Sequence, residues 1–274
     1  MKSIAYLTLI LFFLSLKSYS QQDSTQKIKW GPYFSSYWKD TKSVTVSPLK
    51  WSGKQWLTAG AVVSVAAIIS TQDVEIHDFF KRNTSSASEF SSKFGLEPLG
   101  GIYSLGTLGI FFIYGSVSKD LKGKQVALLG TKAYLVSGLF SQITKHIFHR
   151  QRPYQAETVP GKLNQYRIEG PFTSHLSFTS MPSGHTISAF AVATIISSAY
   201  SDYKIVPVLS YSIATLAAIS RVHDNKHWAS DVLIGGAVGW SIAKLIYNKN
   251  HWGIKIEPYG NTQSVGVGAV IPLK

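Results

Sequence analysis

Apolar residues along this chain gather into six stretches, at about 55–71, 99–117, 126–148, 185–200, 205–220 and 230–247. Each is too long for a strand and is bounded by polar or glycine-containing turns, which predicts helices. Glycine, alanine and serine are frequent within them and permit close helix packing. Lys132 and Lys244 interrupt two of the runs, and we read them as snorkelling or helix-end charges. The expected fold is all-α: a six-helix bundle over 55–250. Several runs fall below the roughly 20 residues that cross a bilayer, and the mean hydropathy is only +0.08. A bundle is therefore expected, with its full immersion in lipid left open.

The flanking segments read differently. Residues 1–20 carry a lysine, an apolar core and a Ser-Tyr-Ser end, which predicts a signal peptide. Residues 21–54 form a basic arm rich in tryptophan and tyrosine, with no helical period. It reads equally as an arm packed on the body or as an interfacial belt. Residues 73–98 are polar, helical or looped, and 154–181 form a long connection. In the tail, 251–274, the period shifts to that of two strands about a turn, an accessory hairpin.

Composition narrows the function. The 274 residues include 27 Lys and Arg against 14 Asp and Glu, a formal charge of +13, with no cysteine. Disulfides, thiolate metal sites and a cysteine nucleophile are excluded. The positive balance predicts an anionic partner, and the basic residues form no nucleic-acid recognition motif.

Three clusters at predicted helix ends carry the chemistry. The first runs from Lys145 to Arg152-Pro153, the second is Pro182-Ser183-Gly184-His185, and the third runs from Ser220-Arg221 through His227 to Asp231. Lys145 and Arg152 lie two turns apart and can share a helix face. Ser183-Gly184 opens a helix whose free N–H groups suit an anion, with His185 in its first turn. Asp231, four residues after His227, is expected to accept the Nδ1 proton of that histidine and leave Nε2 free to attack. Three cations, two histidines and an orienting carboxylate predict phosphoryl transfer with a histidine nucleophile and no metal. His146, His149, His175 and His223 read as solvated or supporting residues.

The pattern K-x6-RP, PSGH, SR-x5-H-x3-D resembles the signature of the type 2 phosphatidic acid phosphatase and vanadium haloperoxidase superfamily, and every specified position is matched in order. The resemblance implies that Lys145, Arg152 and Arg221 bind phosphate oxygens and that Ser183 and the Gly184 amide complete the cradle. By the same resemblance His185 protonates the leaving group, His227 forms a phosphohistidine and Asp231 orients it. The implied activity is phosphatase action on a lipid-linked phosphate or pyrophosphate. The alternatives are a soluble exported acid phosphatase and, less favoured, a haloperoxidase holding vanadate, the one case with a cofactor. A lipid-binding module without catalysis fits poorly with a complete catalytic set.

Alternating helices place the clusters at one end and Lys119, Lys122, Lys124 and Lys204 at the other, so the positive-inside rule predicts a periplasmic site. That parity puts 21–54 in the cytoplasm, whereas a cleaved signal peptide would export them. Either 55–71 does not cross, or the bundle is not fully transmembrane, or 1–20 is misread. The favoured expectation is an exported protein with a membrane-associated or partly embedded bundle.

Overall fold

The computed structural model describes residues 30–156 and 166–250, and the backbone of 255–261 and 264–270. The expected signal peptide lies outside the described residues. The six apolar stretches appear as helices α2 (Gly53–Ser70), α5 (Ile102–Val117), α6 (Leu121–Phe148), α7 (Gly184–Ala199), α8 (Ile205–His223) and α9 (Ala229–Asn250). Among the described residues they are accompanied by α1 (Trp30–Val46), α3 (Asp73–Arg82), α4 (Ser86–Ser91) and a single helical turn at Pro153–Ala156. A π turn and a 3-10 turn then lead from α4 into α5. In the tail, the backbone of β1 (Lys255–Asn261) pairs antiparallel with β2 (Ser264–Val270).

Local chemistry sets the ends. Ser52 and Gln55 form a reciprocal capping box that starts α2. Asp120 caps α6 by accepting from the amides of Lys122 and Gly123. At the other end of α6, His149 takes the left-handed conformation, with φ of 42°, and stops the helix. Its ring is buried, and Nδ1 donates to the carbonyl of Gly170 at 2.9 Å, which fastens the returning 154–181 connection.

Helix α7 lies at the centre, packed by α6, α8 and α9. Its contact with α9 depends on glycine. A Cβ on Gly235 would meet the Ser183 carbonyl oxygen at 2.8 Å, and one on Gly239 would collide with the backbone of Ile187. This close crossing brings the start of α9 against the start of α7, where two of the three clusters lie.

The outer surface is strongly apolar. Leu135, Leu139, Ile143 and Ile147 recur every four residues on α6 and are each about half exposed, while Lys132, Ser137, Ser141 and Lys145 of the same helix are buried. Helix α8 likewise exposes Ile205, Val208, Leu209, Ile213, Leu216 and Ile219. Apolar outside and polar inside is the arrangement of a chain whose solvent is lipid. Among the described residues, helices α6, α8 and α9 are long and apolar enough to cross a membrane, and two bent helix pairs would raise the count from three to five. This is a membrane protein.

Two expectations require correction. The arm has a helical period after all. Tyr33, Tyr37, Asp40 and Val44 share one face of α1 turned toward the bundle, while Trp30, Phe34 and Trp38 point outward. Polar and aromatic residues disguise that period because the buried face is held by ionic and hydroxyl contacts. Lys132 does not snorkel. It is 2% exposed and donates to Asp40 at 2.9 Å and to Ser36 at 2.6 Å. Helix α2 follows α1, and the bend after it delivers Asp73 to the clusters, where Arg150 NH2 donates to it. Lys122 and Asp202, 3.6 Å apart, bring the two lysine-bearing turns together at the end opposite the clusters.

Candidate active site

The end of α6, the start of α7, the end of α8 and the start of α9 meet at one pole. Lys145, Ser183, Arg221, His227 and Asp231 are buried there, and Arg152, Gly184 and His185 are partly buried. All eight expected site residues are thereby gathered. A Cβ on Gly184 would lie 3.2 Å from Lys145 Nζ and 3.1 Å from Ser141 Oγ, so the bare α-carbon lets the start of α7 approach both polar groups closely. Ser183 precedes α7 without capping it. Its Oγ instead accepts from the hydroxyl of Thr186 at 2.9 Å. The first amides of α7 therefore remain open to an anion.

Three buried donors at this pole have no partner among the described residues: Ser141 Oγ, Arg152 Nε and Arg221 Nε. Arg152 is anchored through its other nitrogen to Thr179, and Arg221 NH1 lies 3.0 Å from Glu97 Oε1. Orphaned buried donors are costly, and a tetrahedral oxyanion would satisfy them together.

His227 differs from expectation in its partner. Its Nδ1 donates to the carbonyl oxygen of Ser180 at 2.6 Å, not to Asp231. A carbonyl only accepts, so this bond fixes the proton on Nδ1 and leaves the Nε2 lone pair free. The four-residue rule fails because His227 precedes α9 and is not on its helical face. Asp231 instead turns back to accept from the Trp228 amide at 3.0 Å, capping α9. It reaches His227 through Ser180, whose hydroxyl donates to Asp231 Oδ2 at 2.5 Å.

Both histidines lie outside the three long apolar helices, and both are held neutral. Burial, then the charges of Arg152, Lys145 and Arg221, push His227 well below its ordinary value. Burial, then Arg221, with further contributions from Lys145 and Arg152, bring His185 down to about 4. That dependence places both imidazoles in the field of the same three cations. A bound dianion would reverse it for His185, so binding should take up a proton. Sulfate remains a dianion across this range, and its affinity should therefore tighten as pH falls from 7 to 5. The gain should level off near pH 4, where the empty site is already protonated. His185→Asn should flatten the dependence, and a flat wild-type profile would contradict it.

Several contributors carry no motif signal. Ser180, Ser141, Glu97 and Asp73 stand outside the three clusters, and Ser230 lies inside the third at an unspecified position. Arg150 lies inside the first cluster, at an unspecified position, yet it is 3% exposed and paired with two carboxylates. The basic run that contains it was the one available hint.

Residues 127–255 match the model of the PAP2 superfamily. Over 69 residues, 25% of this chain and 16% of the relative, the chain is 48% identical to the lipid A 1-phosphatase of Porphyromonas gingivalis. Over 138 residues, 42% of this chain and 50% of the relative, it is 25% identical to the probable diacylglycerol pyrophosphate phosphatase 1 of Schizosaccharomyces pombe. The chain thus spans at most half the length of these curated relatives. A transmembrane PAP2 type phosphatidylglycerolphosphate phosphatase from Bacillus subtilis aligns with a TM-score of 0.36 at 21% identity, covering 89% of this chain and 94% of that one. Residues 127–255, with the signature they hold, are thus similar to the PAP2 superfamily.

Proposed function

We propose that the protein is a membrane phosphatase that removes phosphate from a lipid-linked phosphomonoester or pyrophosphate by way of a phosphohistidine. The observation that carries this reading is the set of orphaned buried donors at this pole, Ser141 Oγ beside Gly184 together with Arg152 Nε and Arg221 Nε. A phosphoryl group held there has its negative charge met by Lys145, Arg152, Arg221 and the α7 amides. Nε2 of His227 attacks phosphorus as the bond to the leaving oxygen breaks, and His185 gives that oxygen its proton. His185 then takes a proton from water, whose oxygen attacks phosphorus. The P–N bond breaks, its electron pair returns to Nε2, and phosphate leaves. The cations supply the neutralisation that a metal would otherwise give, so the cycle needs no cofactor.

The apolar outer faces of α6 and α8 support a lipid-linked substrate over the soluble ester of an exported acid phosphatase. The name of the 48% identical relative puts a lipid A phosphate first among candidates. Phosphatidic acid, phosphatidylglycerophosphate and isoprenyl pyrophosphate follow. The lysines of the opposite end favour a site on the exported face. Residues 30–50 then face the cytoplasm, which is at odds with a cleaved leader at 1–20.

Purified protein offered these lipids and p-nitrophenyl phosphate, with EDTA or vanadate added, tests the reading. Turnover should survive EDTA, fall with vanadate and favour a lipid. In intact spheroplasts a membrane-impermeant ester should be cleaved. Loss of turnover in EDTA would refute the cycle. Vanadate-dependent halide oxidation would move the assignment to the haloperoxidase branch.

A further inference from the structure

Beneath His227 lies a buried network that the proposed cycle does not use. Asp73, the first residue of α3, is 1% exposed. Its Oδ1 accepts from the Ser230 amide at 3.0 Å, and its Oδ2 accepts from Ser230 Oγ at 2.5 Å and from Arg150 NH2 at 2.9 Å. The other terminal nitrogen of Arg150 donates to Asp231 Oδ1 at 2.6 Å and to Ser230 Oγ at 2.8 Å. Arg150 also grips Ser180 by its backbone, since its carbonyl accepts the Ser180 amide at 3.0 Å. Ser180 in turn donates its hydroxyl to Asp231 and accepts Nδ1–H of His227 on its carbonyl. An unbroken path therefore runs from Asp73 through Arg150 and Asp231 to Ser180 and the imidazole.

From this path we infer that Asp73 and Arg150 are positioning residues for the nucleophile: Arg150 clamps Ser180 and Asp231 together, and Asp73 divides the charge of the guanidinium. Two carboxylates on one guanidinium leave the network with one net negative charge. When Nε2 bonds to phosphorus, positive charge develops on the imidazole, and a nearby negative network stabilises it. Without Asp73, Arg150 would neutralise Asp231, and that stabilisation would be lost. Asp73 also holds the Ser230 amide, in the first turn of α9, so it fixes the helix that follows His227. A carboxylate in this interior is favourable only when fully partnered, and each Asp73 oxygen has a partner here. The bend of 57° between α2 and α3 brings it to this point.

This inference rests on His227 acting as the nucleophile, so the experiment separates the two. Full-length protein in detergent is given p-nitrophenyl phosphate and a short-chain phosphatidic acid. Phosphoenzyme formation, kcat and KM are measured, and sulfate affinity is read separately as a probe of the cradle without turnover. Asp73→Asn is nearly isosteric. It should lower kcat and the rate of phosphoenzyme formation about 10- to 100-fold, the usual loss for an outer partner of a reacting group. KM and sulfate affinity should stay within about twofold. Arg150→Lys keeps the charge but not the two-armed clamp, and should lose about as much. A purely structural role would lower the melting temperature while leaving kcat per folded molecule intact. An unchanged kcat, or a loss shared by sulfate affinity, would overturn the inference. Should Asp73→Asn fail to fold, Ser230→Ala removes the bridging hydroxyl alone and should lower kcat at least about threefold with sulfate affinity unchanged. Wild-type turnover with an unaffected relay variant refutes the relay alone. Wild-type turnover with no phosphoenzyme refutes the functional reading and the relay with it.

Discussion

His227→Ala is expected to abolish phosphoenzyme formation and to lower kcat at least about a thousandfold, the scale of losing an activated nucleophile. The reason is geometric. No other imidazole is both fixed through Nδ1 by a buried carbonyl and set within the field of Lys145, Arg152 and Arg221 among the described residues. His149 also donates through Nδ1 to a carbonyl, but its Nε2 faces His146 at 3.4 Å. The cradle contributes separately, so sulfate should still bind the variant. A contrast sharpens the test. His185→Ala should still become phosphorylated by p-nitrophenyl phosphate, whose leaving group needs no proton, while losing far more activity on an alkyl phosphate. Acid-labile label, trapped after rapid mixing, reports the first step, and steady-state release reports the cycle. A His227→Ala protein that retains wild-type turnover would remove the basis of the mechanism.

The second large effect lies at the opposite pole and concerns stability. Asp40 is 1% exposed and pairs with Lys132 at 2.9 Å and with Lys249 at 3.0 Å, while Asn250 donates to it at 3.0 Å. Tyr33 and Tyr37 lie beside the Lys132 ammonium, each ring about 5.6 to 5.7 Å from it. One carboxylate thus joins α1, α6 and the end of α9. Asp40→Ala strands the Lys132 ammonium in an interior that cannot hydrate it, at a cost of about 3–5 kcal/mol. Melting in detergent should fall accordingly, and α1 should become sensitive to protease. Adding Lys132→Met removes the stranded charge and should restore much of the loss, because an apolar side chain of similar reach suits that site. If the single variant melts like the wild type, the latch contributes nothing. If the double variant is no better than the single, the stranded charge is not the cause.

The helices were legible because their signals are local. The six apolar stretches needed only composition, length and turn residues, and the structure moved their boundaries by about a turn. Helix α1 escaped because its inward face holds Tyr33, Tyr37 and Asp40. A hydropathy pattern scores those residues as solvent-facing, although an ion pair with Lys132 makes them interior. The same pair changes the reading of Lys132, since only a partner remote in sequence makes a buried ammonium tolerable.

The sequence by itself determined the chemical inventory of this protein and the helix ends that hold it. Lys145, Arg152, Ser183, Gly184, His185, Arg221, His227 and Asp231 sit in short runs whose spacing survives any rearrangement of the rest. What only the tertiary structure decided is how the nucleophile is held. Asp231 caps its own helix and reaches His227 through Ser180, while Arg150 and Asp73 close the network from two other parts of the chain. The physical reason is the range of the interactions. Capping and periodicity act within one turn, whereas a buried charge takes its partners from whichever segments the packing brings within about 3 Å.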